Sequence, residues 1–247
     1  MPYRSSATCV APKQPAGCDR VTYSPPMREP SFKEAGTVRS PTLRDVQRET
    51  TRARLIEIVI EMMENGGEQA VRVRAVADAL GASVGAVYHH FGSREEMIVA
   101  ARIHQFGGAL SEDIQAFGVV VEQSTSVEEF RESALMLTAI SHGPARARFR
   151  QRRAEVIGAA RHNPQLGEAL ATVQQARTTE FAASIAEAQE KGFLESSIDP
   201  ITLAIYFQAV PLGLSLADVN TIEPLDPDAW GQLTVRIVDA LIPAVAR

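Results

Sequence analysis

VRVRAVADALGASVGAVYHHFGSREEMI, residues Val71 to Ile98, is the stretch whose reading decides the fold. Val73, Val76, Ala77 and Leu80 recur at helical spacing. Gly81 then breaks the pattern, as a residue that tolerates positive φ does at a helix end. Ser83 is a good N-cap for a second helix that carries Val84, Val87 and Phe91. Ala77 is small where two helices must cross closely, Gly81 makes the turn, and Val87 packs the second helix back onto the first. The spacing predicts a helix-turn-helix, with its second helix built to lie in the DNA major groove.

Ala77, Leu80, Gly81, Ser83, Gly85, Ala86, Val87, Tyr88, His89, His90 and Phe91, followed by Ser93, Arg94 and Glu95, carry a resemblance. The run resembles the DNA-binding domain of the TetR (tetracycline-repressor-like) family of bacterial transcription regulators. Its most specific part is YHHFGSREE, and the match covers Arg48 to Gly108. The resemblance implies an all-α homodimer with an N-terminal three-helix DNA-binding unit and a C-terminal helical effector-binding and dimerisation domain. It implies repression of nearby genes, relieved by a small molecule. A same-fold regulator without an effector, or an activator, is the alternative. The domains expected are a disordered extension over 1–47, the DNA-binding unit over 48–108 and the effector domain over 109–247.

Charge agrees with this division. The chain has 247 residues and a net charge of −5, yet its first 105 residues carry 14 Lys and Arg against 12 Asp and Glu. The acidity therefore sits away from the expected DNA reader. Cys9 and Cys18 are the only cysteines, which excludes a disulfide scaffold for so large a core. No signal peptide and no apolar run of transmembrane length is read from the sequence, so a cytoplasmic protein is expected. No HxxxH, CxxC, P-loop or Rossmann glycine pattern occurs. Neither a metal, a cofactor nor an enzymatic activity is expected.

Residues 1–47 hold seven of the fourteen prolines and show no period. Helix 1 is expected to begin at Thr50 or Thr51 and to present Leu55, Ile56, Val59, Ile60 and Met63 on one stripe. Arg52 near its start, and Arg72 and Arg74 at the start of helix 2, are candidates for phosphate contact. In the reading helix, Ser83, Val84, Gly85 and Ala86 let the backbone approach base edges, with Val84 and Ala86 suited to a thymine methyl. Tyr88 and His89 lie where phosphate contacts are expected. Ser93 and Arg94 open the next helix, whose N-terminus favours anions. The reading helix carries no Arg, Asn or Gln for bidentate base contact, so shape readout has to contribute.

Beyond Val119 the pattern is helical throughout. Gly143-Pro144, Asn163-Pro164, Asp199-Pro200 and Asp226-Pro227 mark boundaries. Arg146, Arg148, Arg150, Arg152 and Arg153 cluster, with Arg146, Arg150 and Arg153 on one face. A solvated face paired with acids is the expectation there, and attraction for an anionic effector or contact with the DNA-binding unit is the sharper alternative. The resemblance implies an effector pocket, for which Met136, Ile140, Phe149, Val173, Phe181 and Phe207 are candidate lining residues; its ligand is unknown. Segments Ile201–Val219 and Ala229–Ile242 are the most apolar, and the first is apolar nearly all round. A partner copy is the economical cover, giving a two-fold interface of four helices.

Overall fold

The computed structural model describes residues 42–220 and 222–243. They form ten α-helices: α1 (Leu43–Gly66), α2 (Val73–Leu80), α3 (Val84–Phe91), α4 (Arg94–Gln123), α5 (Val127–His142), α6 (Ala147–Ala160), α7 (Pro164–Glu190), α8 (Pro200–Gly213), α9 (Ser215–Val219) and α10 (Pro227–Leu241). Short 3-10 turns precede α2 and α6. The fold is all-α, as the periodicity predicts.

The first helix begins earlier than expected. Thr42 and Asp45 form a capping box in which the threonine hydroxyl accepts from the Asp45 amide at 3.3 Å and the carboxylate accepts from the Thr42 amide at 2.9 Å. Thr50 and Thr51, expected as caps, instead lie inside the helix and donate to the carbonyls of Val46 and Gln47, four residues back. Residues 43–47, read as part of the extension, are therefore helical; residues 1–41 lie outside the described residues.

The turn between α2 and α3 forms as its glycine predicts. Gly81 sits at φ 70°, ψ 29°. The Ala82 amide reaches the Ala77 carbonyl at 2.9 Å and the Gly81 amide reaches Asp78 at 3.2 Å, the paired bonds of a left-handed C-cap. The Ser83 hydroxyl then accepts from the Ala86 amide at 3.1 Å and starts α3. Leu55, Val59, Val76, Ala77, Val87, Phe91 and Met97 close one core beneath α1 to α4.

Helix α4 runs unbroken for 30 residues through Gly107-Gly108. It supplies Met97 and Ile98 to the first core, Val99 and Phe106 to a middle cluster with Val156 and Leu166, and Val121 to a third with Phe130, Ile185 and Leu203. The expected boundary between residues 108 and 109 thus falls inside a continuous helix.

One correction concerns hydropathy. Pro200–Val219 spans 20 residues with a mean hydropathy of 1.5, which is long and apolar enough to cross a membrane by length and composition. Here it is two helices, broken at Leu214 beyond Pro211. Gln208, in its middle, is buried and hydrogen-bonded to Gln174, Thr178 and the Ala204 carbonyl. That face packs on protein rather than lipid.

Replacing Gly81 isolates the turn. A Cβ at that position meets nothing within 4 Å, so Gly81→Val carries only backbone strain, on the order of 1–2 kcal/mol. A melting temperature lower by a few degrees is expected, with Gly81→Asn close to wild type because asparagine tolerates this conformation. Equal melting of Val and Gly variants would contradict the left-handed turn.

Candidate functional site: a nucleic-acid interface and a buried cavity

Helix α3 divides cleanly into two faces. Val87 and Phe91 point into the core, while Ser83, Val84, Gly85, Ala86, Tyr88 and His89 are exposed. Val84 is 39% and Tyr88 46% accessible, so the tyrosine is not packed away against α1. Small residues at 84–86 leave the helix backbone open to close approach. His90 is part-buried, and burial, followed by the neighbouring His89 charge, holds its imidazole below the ordinary pKa.

Arg72, the residue preceding α2, and Arg74 are exposed and reach no acidic partner among the described residues. Arg52 is half-buried and lays its guanidinium over the Phe91 ring, 5.2 Å from the centroid. Ser93 caps α4 by accepting from the Glu96 amide at 3.0 Å. Arg94 has a second task that spacing did not reveal. Its Nε donates to the Val71 carbonyl at 2.7 Å and its Nη2 to the Glu68 carbonyl. Arg102 holds the Glu68 carboxylate at 3.2 Å. The start of α4 is thereby clamped to the loop that leads into α2.

The second feature lies in the helical bundle. A cavity of about 120 Å³ lies between α4 to α8 and α10. Phe149, Phe181 and Phe207 line it; Met136, Ile140 and Val173 do not. The helical phase of α5 explains two of these. Its cavity face is Phe130, Ala134, Leu137, Thr138 and Ser141, which leaves Met136 and Ile140 exposed on another face. Val173 packs instead in the middle cluster beside Phe106.

The arginine cluster pairs with acids as expected at Arg146, Arg148, Arg150 and Arg152, but only part of it is a solvated face. Arg146, Arg150 and Arg153 all line the cavity. Arg150 is 5% exposed; it grips Asp218 through two bonds of 2.9 and 2.7 Å and donates to the carbonyls of Ser141, His142 and Gly143 at the end of α5. Arg146 pairs with Asp113 at 2.9 Å and Glu112 at 3.1 Å. Burial raises the pKa of Asp113, opposed by Arg146 and the Ser141 hydroxyl. His142 is pushed down to about 4 by burial and then by Arg150, and its Nδ1 accepts from the Trp230 indole at 3.2 Å. Arg148 and Arg152 turn the other way and bracket Glu64 of α1, with Arg148 at 3.0 Å. Contact with the DNA-binding unit, the sharper alternative, holds for these two. Asp113, Arg153, Thr138 and Gln208 had no signal in sequence beyond the shared face of Arg146, Arg150 and Arg153. Among the described residues no group of three or more His, Cys, Asp or Glu could hold a metal ion.

A short turn between two helices, an exposed small-residue face and three arginines beside it define a helix-turn-helix DNA-binding regulator. Residues 57–101 match the family model described as bacterial regulatory proteins, tetR family. The match covers the helix-turn-helix and the helices on either side of it. The HTH-type transcriptional regulator UidR of Escherichia coli (strain K12) is 26% identical over 170 residues, 69% of this chain and 82% of that one. A TetR-family regulator from Rhodococcus sp. shares the fold with a TM-score of 0.56 at 22% identity, over 80% of this chain and all of that one. A transcriptional regulator from Saccharomonospora viridis, solved in complex with choline, does so with a TM-score of 0.53 at 17% identity, over 79% of this chain and all of that one.

Two substitutions separate the roles of Tyr88 and Arg94. Tyr88→Phe removes only a hydroxyl and is expected to weaken binding to every duplex alike, by about tenfold where a charge-assisted bond of ~1.5 kcal/mol is lost. Arg94→Lys is expected to lower both melting temperature and DNA affinity, because a lysine cannot span two carbonyls as a guanidinium does. Fluorescence anisotropy on two unrelated duplexes checks both. A changed sequence preference with intact general affinity would refute these roles.

Proposed function

We propose that the protein is a ligand-responsive transcriptional repressor that acts in the cytoplasm as a homodimer and leaves its operator when a small molecule enters the α4–α8 cavity. The DNA-binding unit runs from Thr42 to Gly108 and the effector and dimerisation domain from there onward. Phosphate contacts come from Arg52, Arg72, Arg74, Tyr88, His89 and the Ser93–Arg94 helix start; Val84, Gly85 and Ala86 approach the bases.

The observation that carries the ligand-responsive reading is the double allegiance of α6. One side of this 14-residue helix borders the cavity through Phe149, Arg150 and Arg153. The other side holds Glu64 near the end of α1 through Arg148 and Arg152. A ligand that prefers one position of α6 therefore biases the position of the DNA-binding unit, and operator affinity changes by the ligand's differential affinity for the two arrangements. The S. viridis regulator shows that this fold can hold a small organic molecule.

The dimer reading rests on apolar surface. Ile201, Ile205 and Tyr206 of α8 and Leu233 and Val235 of α10 are exposed in the single chain, Ile205 to 53%. Leu214, Val238 and Leu241 belong to their own protomer, where Leu214 is buried and the other two border the cavity. The interface therefore draws on the exposed apolar residues of α8 and α10 and not on these three. Regulators of this family bind operator DNA as dimers, and two copies of each helix give a two-fold symmetric contact.

Selection of bound duplexes from a random pool tests the central claim. A two-fold symmetric consensus is expected; no enrichment overturns the reading. Ile205→Asp should bury an unpaired charge at the interface, at a cost of several kcal/mol, and yield monomers by light scattering with greatly reduced operator binding. A wild-type monomer at micromolar concentration would remove the dimer. Glu64→Gln should leave ligand affinity unchanged and reduce the ligand's effect on operator affinity severalfold. An unaltered ligand response in this variant would show that coupling does not pass through α6 and α1.

A further inference from the structure

Of the three cavity arginines, Arg153 is the one without an ion pair among the described residues. Its side chain enters from the middle of α6, and the residue is only 9% exposed. Its Nε finds no hydrogen-bond acceptor among the described residues. The two neighbouring arginines on the same face are committed elsewhere, Arg150 to Asp218 and Arg146 to Asp113 and Glu112. Arg153 lies instead over the Phe106 ring, 4.7 Å from its centroid. Burial lowers its pKa to about 10, opposed by Asp113, which leaves the guanidinium charged at neutral pH. A buried cation with an unfilled donor is costly unless something completes it.

The rest of the wall says what completes it. Three guanidiniums border the space against one carboxylate, Asp113. Most of the remaining lining is apolar or aromatic, including Ile114, Phe117, Phe130 and Leu137, with Thr138 and Ser141 beside the charged end. The volume of about 120 Å³ is near that of apolar cavities known to take a single aromatic ring. With Arg146 and Arg150 already neutralised, a cationic ligand would be repelled by Arg153, and a neutral apolar one would leave it unpaired.

We propose that the cavity binds a small organic carboxylate, its carboxyl group on Arg153 and its apolar body among the aromatic side chains. This rests on the reading of the cavity as an effector site and names the ligand class. Because Arg153 and Arg152 are adjacent on α6, an anion drawn to the first acts on the helix that the second ties to Glu64. The ligand is thus both the missing counter-ion and the force on the coupling helix.

The test uses the full-length protein and four probes: benzoate and hexanoate, with benzamide and hexanamide as neutral isosteres. Calorimetry is expected to show both acids binding at least tenfold more tightly than their amides. Arg153→Met, which keeps the bulk and removes the charge, should abolish that difference and raise the melting temperature of the unliganded protein. Asp113→Asn should tighten binding of the acids, since it removes the one carboxylate that competes for Arg153; it serves should the Met variant fold poorly. Equal affinity for acid and amide, or an acid preference that survives Arg153→Met, overturns the carboxylate assignment while leaving an effector cavity in place. Binding of neither acids nor amides overturns the assignment too. Failure of the effector reading itself shows separately, as no member of a broad panel of acids, amides and amines shifting either melting or operator affinity.

Discussion

Everything in this fold depends on α4 remaining one rod. A 30-residue helix is about 45 Å long, and its side chains enter three separate hydrophobic clusters in turn. Each cluster would otherwise be free to shift against the next. Ser93 caps its first turn, Glu95 and Glu96 complement its dipole, and Arg94 fastens that same turn to the carbonyls of Glu68 and Val71. The reader helix is positioned by this arrangement, because α3 has only eight residues and takes its orientation from what Val87 and Phe91 pack on. Three glycines within α4, Gly107, Gly108 and Gly118, do not interrupt it, since packing on both sides outweighs their propensity cost of roughly 1 kcal/mol each.

The arginines of the α6 region show how one charged run serves several ends. Arg148 and Arg152 meet a partly exposed glutamate, where an ion pair contributes at most about 1 kcal/mol and gives way readily. Arg150 is buried, with its fork filled by Asp218 and the carbonyls that end α5, and so acts as a fixed joint between α5, α6 and α9. Arg153 is buried and left open. A weak joint toward α1, a strong joint within the bundle and an unfilled donor at the cavity are what a movable helix between two sites requires. On the proposed coupling, the pairing with Glu64 is weak enough for a ligand to redistribute, while the Arg150 grip holds α6 to α9.

Helices α8 and α10 carry a related tension. Their sequence is apolar on more faces than one protomer can cover, and α8 is long and apolar enough, together with α9, to resemble a membrane span in composition. The buried Gln208, with partners on α7, pins one face to the protein interior. Ile201 and Ile205 are then left outward, and water is a poor solvent for them. In the proposed dimer a second copy covers them without any change in the fold of the first.

How much of this was legible beforehand varies by element. The turn at Gly81, the cap at Ser83 and the two faces of α3 could be read directly, because they rest on local rules: a left-handed residue, a side-chain cap and a helical period. The start of α1 could have been read the same way from Thr42 and Asp45, but proline-rich composition upstream obscured it. The apolar character of α8 and α10 was also plain, though not which face each would keep for itself.

What tertiary structure alone decided is the assignment of charged and apolar side chains to partners distant in the chain. Glu64 meets Arg148 and Arg152, 84 and 88 residues away; Asp218 meets Arg150 across 68; Arg94 meets a carbonyl 23 residues back. No local period encodes those distances. Whether an arginine ends as a clamp, a hinge or an open cavity donor depends on which helix arrives opposite it, and that follows from the packing of whole helices. The sequence by itself determined the DNA-binding turn, because its physics lies within a few residues; it could place three arginines on one face of α6 but not say which of them would be left without a counter-ion, because that is settled only when the bundle closes.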